Sequence, residues 1–282
     1  MSRRKNPLHT LRAGVVLQFV LAVVCAAILL VPLGTSVLGG FKKNSELMMR
    51  PFGLPAVPQT QNYTNVLASH AFWRQLENSV FVMALTTFGV VALAAMAAYV
   101  FARLQFRGRD VLYNFFTLGL MFPTAVAILP LYLTIRSAGM VDTYWGIILP
   151  QIGFGLPLTI IVLRGFFAQI PKEIEEAAAI DGASIMGMFF YIVLPIVRPA
   201  LASMAVLVMV SSWNAFFWPL LVINSTEMYT LPLGVMQFSS QFGTDYGRVL
   251  AFVTLSMVPA IAFYLVAERQ IVSGLTAGAM KG

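Results

Sequence analysis

Four of the eleven acidic residues in this 282-residue chain are clustered at Glu173, Glu175, Glu176 and Asp181. With no histidine or cysteine near them, these carboxylates suggest no catalytic constellation, and their chemistry is that of pairing with a basic partner. Their neighbours favour a short helix that presents them. Pro171 suits a first helical turn, where its missing N–H costs nothing. The glutamates then place negative charge at the positive end of the helix dipole. Ala177, Ala178 and Ala179 form helix readily and carry almost no side chain, so another backbone could approach closely there. Gly182 supplies the left-handed residue on which a helix ends, and a second helical run begins near Ser184 and is stopped at Pro195. The stretch reads as helix, turn, helix, too polar at its start for lipid: a docking knob at a membrane surface. Glu173 and Glu176 share a helix face, while a solvated first turn accounts equally well for Glu173 and Glu175.

A second group sits inside an apolar run. Ser211-Ser212-Trp213-Asn214, followed by Phe216 and Trp218-Pro219, is polar and aromatic in mid-span. Polar groups buried in a membrane are costly unless they line a cavity or pair internally. Aromatic rings offer a flat apolar face with a polar handle, suited to the C–H face of a sugar. Ser212, Trp213, Asn214 and Phe216 are therefore candidates for a substrate path, with helix-packing glue an equal account of Ser211 and Asn214. Asn78 is a weaker candidate, as are Ser79, Thr86, Thr87 and Asn114, for which packing is the better account. Other chemistry finds no residues. His9 and His70 are the only histidines and stand far apart, and a single cysteine, Cys25, excludes a disulfide framework or cysteine-based cluster. No glycine-rich loop with Lys-Ser or Lys-Thr is present to cradle phosphates. No Asp or Glu falls in the middle of an apolar run, which counts against a proton relay.

The elements that must position these groups are membrane spans. The chain is 59% hydrophobic and 10% charged, against about 25% charged for a soluble domain, and it has several apolar runs of about the 20 residues that cross a bilayer. The fold class expected is an all-α polytopic membrane protein with six transmembrane helices, at about 13–38, 77–101, 111–135, 144–167, 196–223 and 248–267. Residues 1–12 form a polar N-terminus, 168–195 the loop that holds the knob, and 268–282 a tail; 13–267 is the membrane domain. The first run is longer than a signal-peptide core and lacks a cleavage site, so it reads as a retained span. Pro123 and Pro130 are expected to kink the third span. The net charge of +7 could indicate nucleic acid, but the basic residues are scattered between apolar runs and topology explains them better. With both termini inside, twelve Lys and Arg lie on the inner side and six on the outer, which puts the knob in the cytoplasm.

The spacing Glu-Ala-Ala, three residues, Gly, nine residues, Ile-x-Leu-Pro is met by Glu176, Ala177, Ala178, Gly182, Ile192, Leu194 and Pro195. It resembles the coupling-helix loop of ATP-binding-cassette (ABC) importer permeases, by which the membrane subunit docks onto its ATPase. Asp181 and Ala183 beside Gly182 make it similar to the carbohydrate-uptake branch. The tail, with Gly274, Leu275, Thr276, Gly278 and Lys281, resembles the C-terminus of the maltose-type second permease. The resemblance implies that Glu176 faces a basic residue of the ATPase, that Ala177, Ala178 and Gly182 fill a cleft in that subunit, and that the tail reaches into the interface between two ATPases.

The function so implied is that of a permease subunit carrying a sugar or oligosaccharide into the cytoplasm of a bacterial or archaeal cell, across the inner membrane. Its implied partners are a second permease, two ATPase subunits, an extracytoplasmic sugar-binding protein and the lipid bilayer, with no nucleic acid. The chain is expected to bind no cofactor and to have no ATPase site of its own, ATP and Mg being used by the partner ATPases. The alternatives are an ion-coupled secondary transporter or channel, and an ABC importer for a non-sugar solute. Missing mid-span carboxylates weigh against the first, and the tail with Asp181-Gly182-Ala183 against the second.

Overall fold

A computed structural model describes the backbone of residues 7–240 and 243–279 and the side chains of residues 15–239 and 243–265. The long α1 (Pro7–Gly39) leads to two short helices, α2 (Asn44–Met49) and α3 (Gln61–Ala68), and then to α4 (His70–Arg103). Next come α5 (Arg109–Gly119), α6 (Thr124–Ser137), α7 (Tyr144–Ala168) and α8 (Lys172–Ile180), the last carrying the acidic run. They are followed by α9 (Ile185–Ile196), α10 (Arg198–Trp213), α11 (Phe217–Val222), the single turn α12 (Leu231–Gly234) and α13 (Tyr246–Ala279). A two-residue antiparallel ladder pairs Ser239 with Thr244 and Ser240 with Gly243.

Val15–Gly39, His70–Arg103, Tyr144–Ala168 and Tyr246–Leu265 are each long and apolar enough to cross a bilayer. The 25 residues of α7 rise about 37 Å, more than the ~30 Å of hydrocarbon they must span. The pairs α5–α6 and α9–α10 also qualify when each counts as one span, bent by 102° and 78°. That brings the number among the described residues to six.

The bends depart from what the sequence predicts. The third span is not one kinked helix over 111–135 but two helices parted at residues 120–123. Pro123 has no N–H with which to continue the ladder of α5, and it takes an extended ψ of 121° at the head of α6. Pro130, by contrast, stays inside α6. Pro195 does not stop the second run of the polar loop, because α9 passes through it to Ile196. The turn before it widens into a π-helix over Met188–Val193, which makes room for a ring that would otherwise meet the carbonyl four residues back. The fifth span, predicted over 196–223, is interrupted at residues 214–216, between α10 and α11. At the other end, the backbone of α13 runs on as helix past 267 to Ala279. Of Gly274, Leu275, Thr276 and Gly278 only the backbone is described, and Lys281 lies outside the described residues.

The chain divides into two compact units, Met1–Ser69 with Val235–Ser256 and His70–Gly234 with Met257–Gly282. In the first, side chains pin the segment after α1. Lys42 is buried, and its Nζ donates to the carbonyls of Arg50 at 2.9 Å and Pro51 at 3.2 Å, placing its charge at the negative end of α2. Asn62 Nδ2 donates to Gly40 O at 2.9 Å.

In the second unit, α4 and α7 form the spine. A methyl group on Gly89 would stand 2.5 Å from Ile152, and one on Gly155 would stand 2.8 Å from Val90. Small residues are what allow two helices to approach so closely in lipid, and Ala94, Ala95 and Ala98 continue the buried seam. The seam ends in a cluster of Tyr99, Phe101, Phe167, Ile170, Ala178 and Phe189. This cluster joins the polar loop to the spans.

Candidate functional site

Pro171 takes ψ 136° just before α8, as its N-cap rather than within its first turn. The helix closes on Gly182 at φ +83°. The Ala183 N–H donates to Ala178 O at 2.9 Å and the Gly182 N–H to Ala179 O at 3.1 Å, the paired bonds of a glycine-terminated helix. Ser184 caps α9, its Oγ accepting from Gly187 N at 3.1 Å.

α8 has two faces. Glu173, Glu176, Ala177 and Ile180 follow the i, i+3, i+4, i+7 spacing of one helical stripe, and all four are exposed, Ile180 by 86%. Asp181 and Gly182 are exposed beyond its end, and Ala183 is half-buried. Glu175 and Ala178 turn the other way. Ala178 is buried in the cluster with Phe189, so it seats α8 on its own chain and is not free to fill a partner's cleft as the sequence reading had it. Glu175 meets Arg103, the last residue of α4, with Oε1 and Nε 2.9 Å apart and the side chains only 17% and 6% exposed. The N–H does not point at the oxygen, so the contact is ionic rather than a hydrogen bond. Arg103 also donates from Nη2 to the carbonyl of Ile170. A solvated first turn therefore describes Glu173 and not Glu175.

A cavity of about 700 Å³ lies among α4, α6, α7, α10 and α11. Thr86, Gln151, Phe154, Ser211, Ser212 and Trp218 are on its walls, and no residue lining it is charged. Ser212 Oγ donates to Gln151 Oε1 at 2.6 Å. The Gln151 Nε2 and the Thr86 Oγ1 are enclosed and have no hydrogen-bond partner among the described residues. A hollow with mostly apolar walls, a few polar side chains and no charge suits an uncharged ligand.

Of the five path residues expected from the sequence, the cavity gathers only Ser212. Trp213 is buried and meets Phe263 edge-on, centroids 5.7 Å apart; with Asn214 it lines a separate void of about 60 Å³. Asn214 Nδ2 donates back to Val210 O at 2.8 Å, which ends α10. Phe216 packs into a cluster with Ile147 and Val222. Asn78 is fully engaged elsewhere: Nδ2 donates to the carbonyls of Glu227 at 2.8 Å and Tyr229 at 2.9 Å, and Oδ1 accepts from the Tyr144 hydroxyl at 2.7 Å. Gln151 and Phe154 were not singled out in the sequence. The legible signal was an amide directly after Pro150 in an otherwise apolar span, where a broken helical ladder and a polar side chain coincide.

Apolar spans around a neutral cavity, with an acidic stripe held out on a polar loop, define an integral membrane transport component. Residues 66–271 match the family described as "Binding-protein-dependent transport system inner membrane component", and the chain belongs to that family. It is therefore a transport subunit rather than an enzyme. Its relatives include the arabinooligosaccharides transport system permease protein AraQ of Halalkalibacterium halodurans, 31% identical over 286 residues and covering 100% of both chains. The diacetylchitobiose uptake system permease protein NgcG of Streptomyces coelicolor is 32% identical, covering 93% of this chain and 87% of its own. The trehalose/maltose transport system permease protein MalG of Thermococcus litoralis is 38% identical, covering 79% and 81%. In fold, the chain is similar to a bacterial ABC transporter that imports the acidic polysaccharide alginate, with a TM-score of 0.80 at 23% identity over 95% of this chain and 98% of that one.

Proposed function

We propose that this chain is the permease subunit of an ABC importer that brings a neutral sugar or oligosaccharide into the cytoplasm. The exposed stripe of α8 carries this reading: Glu173, Glu176, Ala177 and Ile180 offer two carboxylates around a small apolar contact, the surface a basic cleft on an ATPase would receive. The uncharged cavity and the sugars for which AraQ, NgcG and MalG are named support a neutral sugar as cargo. The partners in this reading are a second permease, two ATPase subunits that use ATP and Mg, and an extracytoplasmic sugar-binding protein. The solved alginate transporter with a periplasmic protein bound to an alginate pentasaccharide has the last of these. In the same reading, α8 and both termini face the cytoplasm, and the tail from Gly274 to Lys281 approaches the ATPases. ATP-driven closure of the ATPases displaces α8, and the spans shift between inward-open and outward-open states whose populations ATP and the loaded binding protein bias.

The test is co-purification from detergent-solubilised membranes, native chain against Glu176→Lys. Reversing a docked charge adds repulsion and strands its partner, so retention of the ATPase should fall by about tenfold or more. If the native chain purifies without any ATPase and transports without ATP, the reading is wrong.

A further inference from the structure

We infer that Arg103 and Glu175 are positioning residues that transmit movement of α8 to α4. The inference rests on the docking role proposed for α8.

Among the described residues the outer stripe of α8 is free, and the side chains that tie the helix to its own chain are few. Ala178 is an apolar foot in the cluster of Tyr99, Phe167 and Phe189. The second tie is Glu175, held 2.9 Å from Arg103. Arg103 is the final residue of α4, where a cation also favours the negative end of that helix. The same guanidinium donates to Ile170 O, two residues before α8 begins. One side chain thus grips both the entry to α8 and its first turn, and both grips lead into the helix that forms the spine of the unit. α4 carries Thr86, on the wall of the neutral cavity. A push on the outer stripe of α8 therefore meets α4 through an enclosed ion pair that cannot slide as an apolar contact can. Water does not loosen it, since both side chains are largely covered.

The experiment uses the complete importer, reconstituted in vesicles with its ATPases, second permease and binding protein. The amount of ATPase retained, the rate of ATP hydrolysis and sugar uptake are measured for Glu175→Gln, Arg103→Gln and the exchanged pair Arg103→Glu with Glu175→Arg. The tracer is a radiolabelled sugar that the binding protein is first shown to bind. The expected result is normal assembly and continued hydrolysis, with sugar carried per ATP reduced about fivefold or more in each single variant and partly restored in the exchanged pair. Single variants that assemble and keep the native ratio overturn the inference. Loss of the ATPases from the single variants overturns it too, since the pair would then only hold the docking surface in shape. Failure of the proposed function is separate: the native chain itself would then retain no ATPase.

Discussion

The indole N–H of Trp218 donates to the carbonyl oxygen of Gly146 at 2.8 Å. The helical donor to that carbonyl would be residue 150, which is Pro150 and has no N–H. α11 therefore completes a hydrogen bond that α7 cannot make for itself. In a membrane-spanning segment a backbone carbonyl left unpaired is expensive, and neighbours commonly supply the missing donor. Trp218→Phe keeps an aromatic wall on the cavity and removes the donor. It should destabilise the protein by about 1–3 kcal/mol, read as a lower melting temperature in detergent. An unchanged melting temperature would mean that another donor serves Gly146.

Asn78 lends itself to a sharper distinction, because the sequence offers it as a weak path candidate with packing the better account, and its bonds put it under a loop. Its amide holds the carbonyls of Glu227 and Tyr229, and the next side chain, Ser79 Oγ, accepts from Leu231 N at 2.8 Å. Together they fasten the segment between α11 and α12 onto α4. Asn78→Ala strands two carbonyls and a tyrosine hydroxyl, each worth about 1–3 kcal/mol when enclosed. Stability should fall markedly while the KM for sugar, measured on whatever complex survives, stays near native. A raised KM at native stability would return Asn78 to the path.

Asp142 predicts a pH dependence. It sits at φ +58°, and its Oδ1 accepts from the backbone N–H groups of Ser225 and Asn224, each at 3.0 Å. The bond from Ser225 is the leading reason its carboxyl lies below the ordinary value of 3.8, with burial acting the other way and Asn224 adding to the lowering. A group whose pKa is depressed on folding stabilises the fold above its unfolded value and ceases to as pH falls through the folded one. Asn tolerates the same backbone conformation as Asp, so Asp142→Asn isolates the charge. The native protein should melt higher than the variant at neutral pH, and the gap should close as pH drops below about 4. A gap that stays the same size as the pH is lowered into the acid range would assign the effect to packing.

What the sequence disclosed follows the range of each interaction. Gly182, the run of alanines and the length of each apolar segment act on their own neighbours, so the closure of α8 and the number of spans were legible. The prolines were legible as trouble but not in its form: Pro123 parts two helices, whereas Pro195 is absorbed by a π-turn, because the packing around each decides. Arg103 meets Glu175, Trp218 meets Gly146 and Asn78 meets Tyr229 across long stretches of chain. No periodicity couples residues so far apart. Glu175 was therefore indistinguishable from Glu173 until α4 was placed beside it, and Ser212 alone of the expected path residues reached the cavity.

Gly182 gives the most direct test of the docking surface proposed for α8. At φ +83° its backbone is one that residues with a Cβ rarely adopt, yet no atom of the described residues stands within 4 Å of where a Cβ would be. Substitution there is thus a conformational perturbation without a clash. Gly182→Ala should cost about 1–2 kcal/mol through the left-handed conformation alone, concentrated in the last turn of α8 beside the exposed Ile180. Gly182→Asn, which enters that region more readily, should cost less. In the co-purification assay, ATPase retention should therefore rank native, then Asn, then Ala. Because the site is open, a bulky residue such as Gly182→Leu should behave like Ala if only backbone shape matters. A much larger loss for Leu than for Ala would instead show that the ATPase packs directly over Gly182.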